Sequence, residues 1–274
     1  MDDIQTGKKN MILYSVMIYV VFLALFAITG VISTFITSNK IVLQICVTVC
    51  SWTSFFVLMF MFKRLMPGEK RWDFIKGLFA EKINWKLIGI IIAVQLILFL
   101  AAVGYVAVRN RTAFWELLCF SPFSLVSGFF IQLVGGPLGE EPAYRGFALP
   151  YMQKRYSTIK AGIITGTVWG MWHLPLWIIS GYKGLALLIY CVTFMVAIVS
   201  ASVVMSVIYK NRKNIIYAVL IHQMVNFTLD VLYTGDLLQI FIPFAALYFM
   251  AAVVICVLNT EERNTIQGGD CADE

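Results

Sequence analysis

Charge is what this sequence has least of. Only 13% of its 274 residues are Asp, Glu, Lys or Arg, and 60% are hydrophobic, whereas ordinary soluble domains are about a quarter charged. A soluble nucleic-acid binder, a disordered chain and a secreted disulfide scaffold are excluded together, because none could keep so much apolar surface out of water. Cysteine is too scattered for a framework. Cys46, Cys50, Cys191 and Cys256 fall inside apolar runs, Cys119 near the end of one and Cys271 in a polar tail, so reduced thiols are expected. The terminal Cys271-Ala-Asp-Glu has the length of a prenylation box, but Asp273 stands where an aliphatic residue is required. Histidine occurs twice, at His173 and His222. There is no HExxH zinc helix, no GxSxG serine elbow and no pair of intramembrane aspartates, since Asp230 alone lies within an apolar run.

What is abundant is uninterrupted apolar sequence of bilayer length. A spanning helix needs about 20 mostly apolar residues, and eight such windows occur: Met11 to Thr37, Ile41 to Phe62, Leu87 to Val108, Phe120 to Met152, Ala161 to Ser180, Leu185 to Tyr209, Asn214 to Tyr233 and Leu237 to Leu258. The expected fold is an all-α polytopic membrane protein, a bundle of about eight transmembrane helices. Residues 1–10 form a short N-terminus, 11–258 the bundle, and 259–274 a polar tail expected to be disordered. The first window follows Lys8 and Lys9 without a small-residue cleavage site and reads as an anchor.

Basic residues set the orientation. With both termini on one face, 17 Lys and Arg fall on that side and four (Lys40, Arg109, Arg111, Lys183) on the other. The termini are therefore expected in the cytoplasm, with the plasma membrane as the location. The net charge of +6 is topological and implies no nucleic-acid partner. The loop Lys63 to Lys86 carries Trp72, Ile75, Leu78, Phe79 and Ile83 at helical spacing, which suits either a short interfacial helix or a solvated basic loop.

Against this background, a few polar side chains stand inside the apolar windows, where an ionisable group is costly and reads as functional. The fourth window holds Glu140, Glu141 and Arg145 in GGPLGEEPAYRGFALP; the fifth holds His173; the seventh holds His222 and Asn226. Counting helical rise inward from the basic ends, Glu140, His173 and His222 lie at roughly 18, 20 and 14 Å, one stratum of the bilayer. Glu141 and Arg145 are four apart, the spacing of an intramembrane ion pair. His222 and Asn226 share a helical face. Gly135, Gly136, Pro137 and Gly139 should break the fourth span just before the acids. Trp169, Trp172 and Trp177 read as packing residues.

A carboxylate and an imidazole facing one cavity can bind and deprotonate water, and a second imidazole with an amide can donate to the oxyanion formed when water attacks a carbonyl. That chemistry suits peptide hydrolysis. Two histidines and a glutamate (Glu140, His173, His222) could also supply three zinc ligands, but Asn226 is a poor ligand and an apt oxyanion donor, so a reaction without a cofactor is favoured over one using zinc or another divalent metal. The alternatives are a proton-coupled transporter or channel using the cluster as a relay, and a non-catalytic immunity or scaffold protein.

Glu140-Glu141-Pro-Ala-Tyr-Arg145 matches an EExxxR motif, Trp169-Gly-Met-Trp-His173 resembles FxxxH, and His222-Gln-Met-Val-Asn226 looks like HxxxN. In this order, over about residues 120–230, the set resembles the CAAX protease and bacteriocin-processing family (CPBP, or Abi), which includes the type II CAAX prenyl endopeptidases. The resemblance implies an intramembrane endopeptidase acting on a peptide or lipidated protein substrate, prenylated CAAX-type proteins being the implied class. Glu140 and His173 would activate water, His222 and Asn226 would form the oxyanion hole, and Glu141 and Arg145 would support the site. Trp169 stands where that family usually has Phe, and Trp169→Phe is expected to be tolerated.

Overall fold

The structure, a computed structural model, describes residues 2–119, 121–232 and 237–269. Among these the chain is almost wholly helical; two isolated bridges, Phe79 with Asn214 and Leu118 with Leu232, are the only β pairing. The helices are α1 (Asp2–Val31), α2 (Lys40–Ser51), α3 (Thr53–Leu65), α4 (Arg71–Gly77), α5 (Trp85–Asn110), α6 (Pro122–Val134), α7 (Pro137–Glu141), α8 (Leu149–Gln153), α9 (Thr158–Trp172), α10 (Leu174–Ile178), α11 (Gly184–Asn211), α12 (Ile216–Asp230) and α13 (Leu237–Gly269). Short wider, π-helical turns follow α1 (Ile32–Ile36) and join α7 to α8 (Pro142–Ala148).

Helix starts follow local chemistry. Asn39 accepts from the Ile41 N–H at 2.9 Å, Asn84 from Leu87 at 3.1 Å and Ser157 from Lys160 at 3.3 Å, so side chains cap α2, α5 and α9. Arg111 ends α5 in the left-handed region, with φ 54°.

This is an all-α membrane protein. Among the described residues, four helices are individually long and apolar enough to span, at Gly7–Ile36, Trp85–Asn110, Gly184–Asn211 and Leu237–Asn259; α2 and α3, bent by 44°, make a fifth if counted together. The fourth, fifth and seventh windows become short or broken helices. α9 and α12 have 15 residues each, about 22 Å of rise, against about 30 Å of hydrocarbon. The physical causes are visible in the chain. Gly135-Gly136-Pro137 interrupts the fourth window, and Pro175, without a backbone N–H, separates α10 from α9 at His173. Phe120 and Tyr233, which bound two of the windows, and residues 270–274 of the tail lie outside the described residues.

Breaks inside an apolar bundle must have their backbone groups satisfied by protein. Trp52, at the α2–α3 bend, donates its indole N–H to the carbonyl of Val134 at 2.7 Å, and its ring lies against Gly139, where an added Cβ would come within 2.6 Å of it. The bend of one helix pair thus caps the broken end of another. α9 and α11 pack with backbones in close approach: a Cβ on Gly162, Gly166 or Gly170 would strike Ser206, Ser202 or Met195, and Ser202 donates to the Gly162 carbonyl at 2.8 Å.

The Lys63–Lys86 loop contains the helix α4 (Arg71–Gly77). Phe74 and Leu78 pack inward while Trp72 and Phe79 stay exposed, and Leu78 lies against Gly146. The Ile215 N–H donates to the Leu78 carbonyl at 2.7 Å, tying this loop to the start of α12.

Candidate active site

The broken helices bring the sequence-nominated polar residues together. Glu140 ends up at the close of α7, just before the wide π-helical turn; Glu141 and Arg145 follow on the same segment. His173 sits at the α9–α10 break, and His222 with Asn226 lies on α12. Glu140, His173, His222 and Asn226 line one cavity of about 160 Å³, whose other walls include Gly135 and Gly136 and, from α1 and α2, Phe22, Phe26 and Cys50. Glu140 and His222 are each 4% exposed, Glu141 and Arg145 not at all.

Gly136 keeps the cavity open between two of these groups. A Cβ there would lie 3.2 Å from the Asn226 Nδ2 and 3.7 Å from the Glu140 Oε1. Amide and carboxylate therefore face a shared space that a side chain at this position would fill.

Hydrogen bonds fix the orientation of each group. The Trp169 indole N–H donates to the Glu140 Oε2 at 2.6 Å. His173 Nδ1 lies 3.0 Å from the Trp169 carbonyl; since a carbonyl only accepts, Nδ1 carries the proton and Nε2 is left with a lone pair in the neutral ring. His222 Nδ1 lies 2.8 Å from the Glu141 Oε1, which likewise makes Nδ1 the donor. Arg145 Nη1 is 3.1 Å from both oxygens of Glu141. Its guanidinium carbon lies 4.3 Å from the centre of the Trp169 ring, a cation–π contact.

The sequence thus nominated every ionisable member of this cluster, and the expected Glu141–Arg145 pair is formed. Two links were not foreseen. Glu141 also holds His222, joining the supporting pair to the oxyanion candidate, and Trp169 is not merely packing, because its N–H holds Glu140. A phenylalanine could not make that bond, which gives a physical reason against the expectation that Trp169→Phe is tolerated.

Glu140, His173 and His222, the set that could ligate zinc, share this cavity, but among the described residues no three His, Cys, Asp or Glu side chains stand close enough to group as a metal site.

A family model described as Rce1-like type II CAAX prenyl endopeptidase matches residues 122–228, the stretch that runs from α6 through α12 and contains every polar residue named above. The chain is also 29% identical over 198 residues to CAAX prenyl protease 2 of Methanococcus maripaludis, covering 69% of this chain and 72% of that protein.

Proposed function

We propose, from the similarity to the Rce1-like family model and to CAAX prenyl protease 2, that the chain is a CAAX-type intramembrane endopeptidase in which Glu140 is the general base for water attack on a peptide bond of a membrane-associated substrate, prenylated CAAX-type proteins being the favoured class. The observation that carries this reading is the convergence of Glu140, His173, His222 and Asn226 on one cavity.

A water between Glu140 and the His173 Nε2 gives up a proton to the carboxylate as its oxygen attacks the scissile carbonyl carbon. His173 orients this water because its own proton is committed to the Trp169 carbonyl. The negative charge that develops on the carbonyl oxygen is met by the Asn226 Nδ2–H and the His222 Nε2–H. His222 donates at Nε2 and at Nδ1 together only as an imidazolium. In that form Glu140, Glu141, Arg145 and His222 sum to zero charge, the balance a buried cluster requires. Collapse of the tetrahedral intermediate breaks the C–N bond, and Glu140 returns its proton to the departing amine. No step passes through a metal.

The same reading places both termini in the cytoplasm, supported by the 17-to-4 distribution of Lys and Arg, and the protein in the plasma membrane. The test is a comparison of peptides in membranes carrying wild type or Glu140→Ala. Uncut precursors should accumulate only with Glu140→Ala, and identical peptide profiles would overturn the assignment.

A further inference from the structure

Trp169 touches four members of the candidate site at once. Its indole N–H donates to the Glu140 Oε2 at 2.6 Å, and its carbonyl accepts from the His173 Nδ1 at 3.0 Å. Its ring face lies under the Arg145 guanidinium at 4.3 Å, and it meets the His222 ring edge-to-face with centroids 4.8 Å apart. It is itself buried, at 3% exposure, and it is absent from the cavity wall formed by its neighbours. It therefore acts on the reaction through other side chains and has no surface left for substrate.

The four contacts differ in what they require of the residue. The carbonyl contact is made by any amino acid, and the two ring contacts by any large aromatic. Only the bond to Glu140 needs an N–H in that place. A donor on a carboxylate favours its charged form and fixes which oxygen lone pair remains free. With Oε2 held by Trp169, Oε1 is the oxygen left toward Gly136 and Asn226, where an added Cβ at 136 would approach it to 3.7 Å.

We propose that Trp169 is a positioning residue for the hydrolytic reaction, its indole N–H clamping Glu140 by Oε2 so that Oε1 is presented, as carboxylate, to the attacking water. The proposal rests on Glu140 being the general base. It assigns the polar edge of the indole, and not the bulk of the ring, as the functional part.

The experiment uses the full chain in detergent or nanodiscs with a prenylated CAAX-type peptide. Three forms are compared with wild type: Trp169→Phe, which keeps an aromatic ring; a protein with 3-benzothienylalanine at position 169, which replaces only the N–H by sulfur; and Glu140→Gln. Both Trp169 replacements should lower kcat by about 10- to 100-fold near neutral pH, the worth of one hydrogen bond to a charged group, with KM little changed. Unfolding in detergent should show the benzothienyl form losing no more stability than that one hydrogen bond supplies, which separates loss of the N–H from loss of packing.

A deficit confined to Trp169→Phe and missing from the benzothienyl form, or one carried by KM and not kcat, would overturn the clamp in favour of simple packing. Full activity of both Trp169 replacements would overturn it outright. Retained activity of Glu140→Gln is a different failure: it removes the general-base reading on which the clamp depends.

Discussion

Replacing Arg145 by methionine should destabilise the protein by about 3–5 kcal/mol, the usual cost of stranding one partner of a buried ion pair. Arg145 and Glu141 are both fully buried and 3.1 Å apart. At an effective dielectric of about 20 their attraction is about 5 kcal/mol, and the guanidinium adds a cation–π contact with Trp169 of about 1–2 kcal/mol. Methionine nearly matches the arginine stem in volume, so the loss is electrostatic more than steric. His222 still faces Glu141 at 2.8 Å and recovers part of it. The double variant Glu141→Gln/Arg145→Met removes both charges, and it should regain at least half of the single variant's loss. Chemical unfolding of purified protein in mixed micelles, run as a double-mutant cycle, measures the coupling directly. An Arg145→Met protein within about 1 kcal/mol of wild type, or a double variant less stable than the single one, would refute the reasoning.

Other consequences are independent of that pair. Asn226→Ala should lower kcat by about 100- to 1,000-fold with little change in KM, as for removal of one oxyanion donor; steady-state kinetics on a prenylated peptide checks it, and an effect on KM alone would place Asn226 in substrate binding. Gly166→Val should cost about 1–3 kcal/mol by overpacking, because a Cβ there already comes within 2.6 Å of the Ser202 Cβ; unfolding in detergent reads this out, and unchanged stability would mean that α9 and α11 can separate freely. Exhaustive chelation of divalent metals should leave the rate within about twofold of untreated enzyme, since the proposed steps need no Lewis acid. A rate abolished by chelation and restored by zinc would replace the proposed mechanism.

Much of the candidate site was legible because the membrane makes polar residues conspicuous. In a chain that is 13% charged, Glu140, Glu141, Arg145, His173 and His222 stand out with no knowledge of the fold, and the four-residue spacing of Glu141 and Arg145 already implied their contact. What could not be read is contact between elements. The Glu141–His222 bond joins residues 81 apart in sequence, and no local pattern reports it. Trp169 was taken for packing because an indole in an apolar run shows its bulk to a sequence reading and hides the direction of its N–H.

Helix boundaries were legible in part: Gly135-Gly136-Pro137 announced the break in the fourth window, whereas hydropathy, which measures apolar length and is blind to where a helix stops, gave no sign of the break before Pro175. Which residues of the α4 loop turn inward was not legible, because the fit of Leu78 against Gly146 is a contact between distant segments. Gly162, Gly166 and Gly170 were a readable signal that went unread: three glycines at intervals of four mark the close approach of α9 to α11.

The most direct test of the central claim is single-turnover cleavage of a prenylated CAAX-type peptide by the purified protein and by Glu140→Gln, with products identified by mass spectrometry in water enriched in oxygen-18. The account predicts that wild type releases the C-terminal fragment and places one oxygen-18 in the new carboxylate, while Glu140→Gln, folded and still binding peptide, cleaves at least about 1,000-fold more slowly. Cleavage by Glu140→Gln at a rate near that of wild type would contradict it.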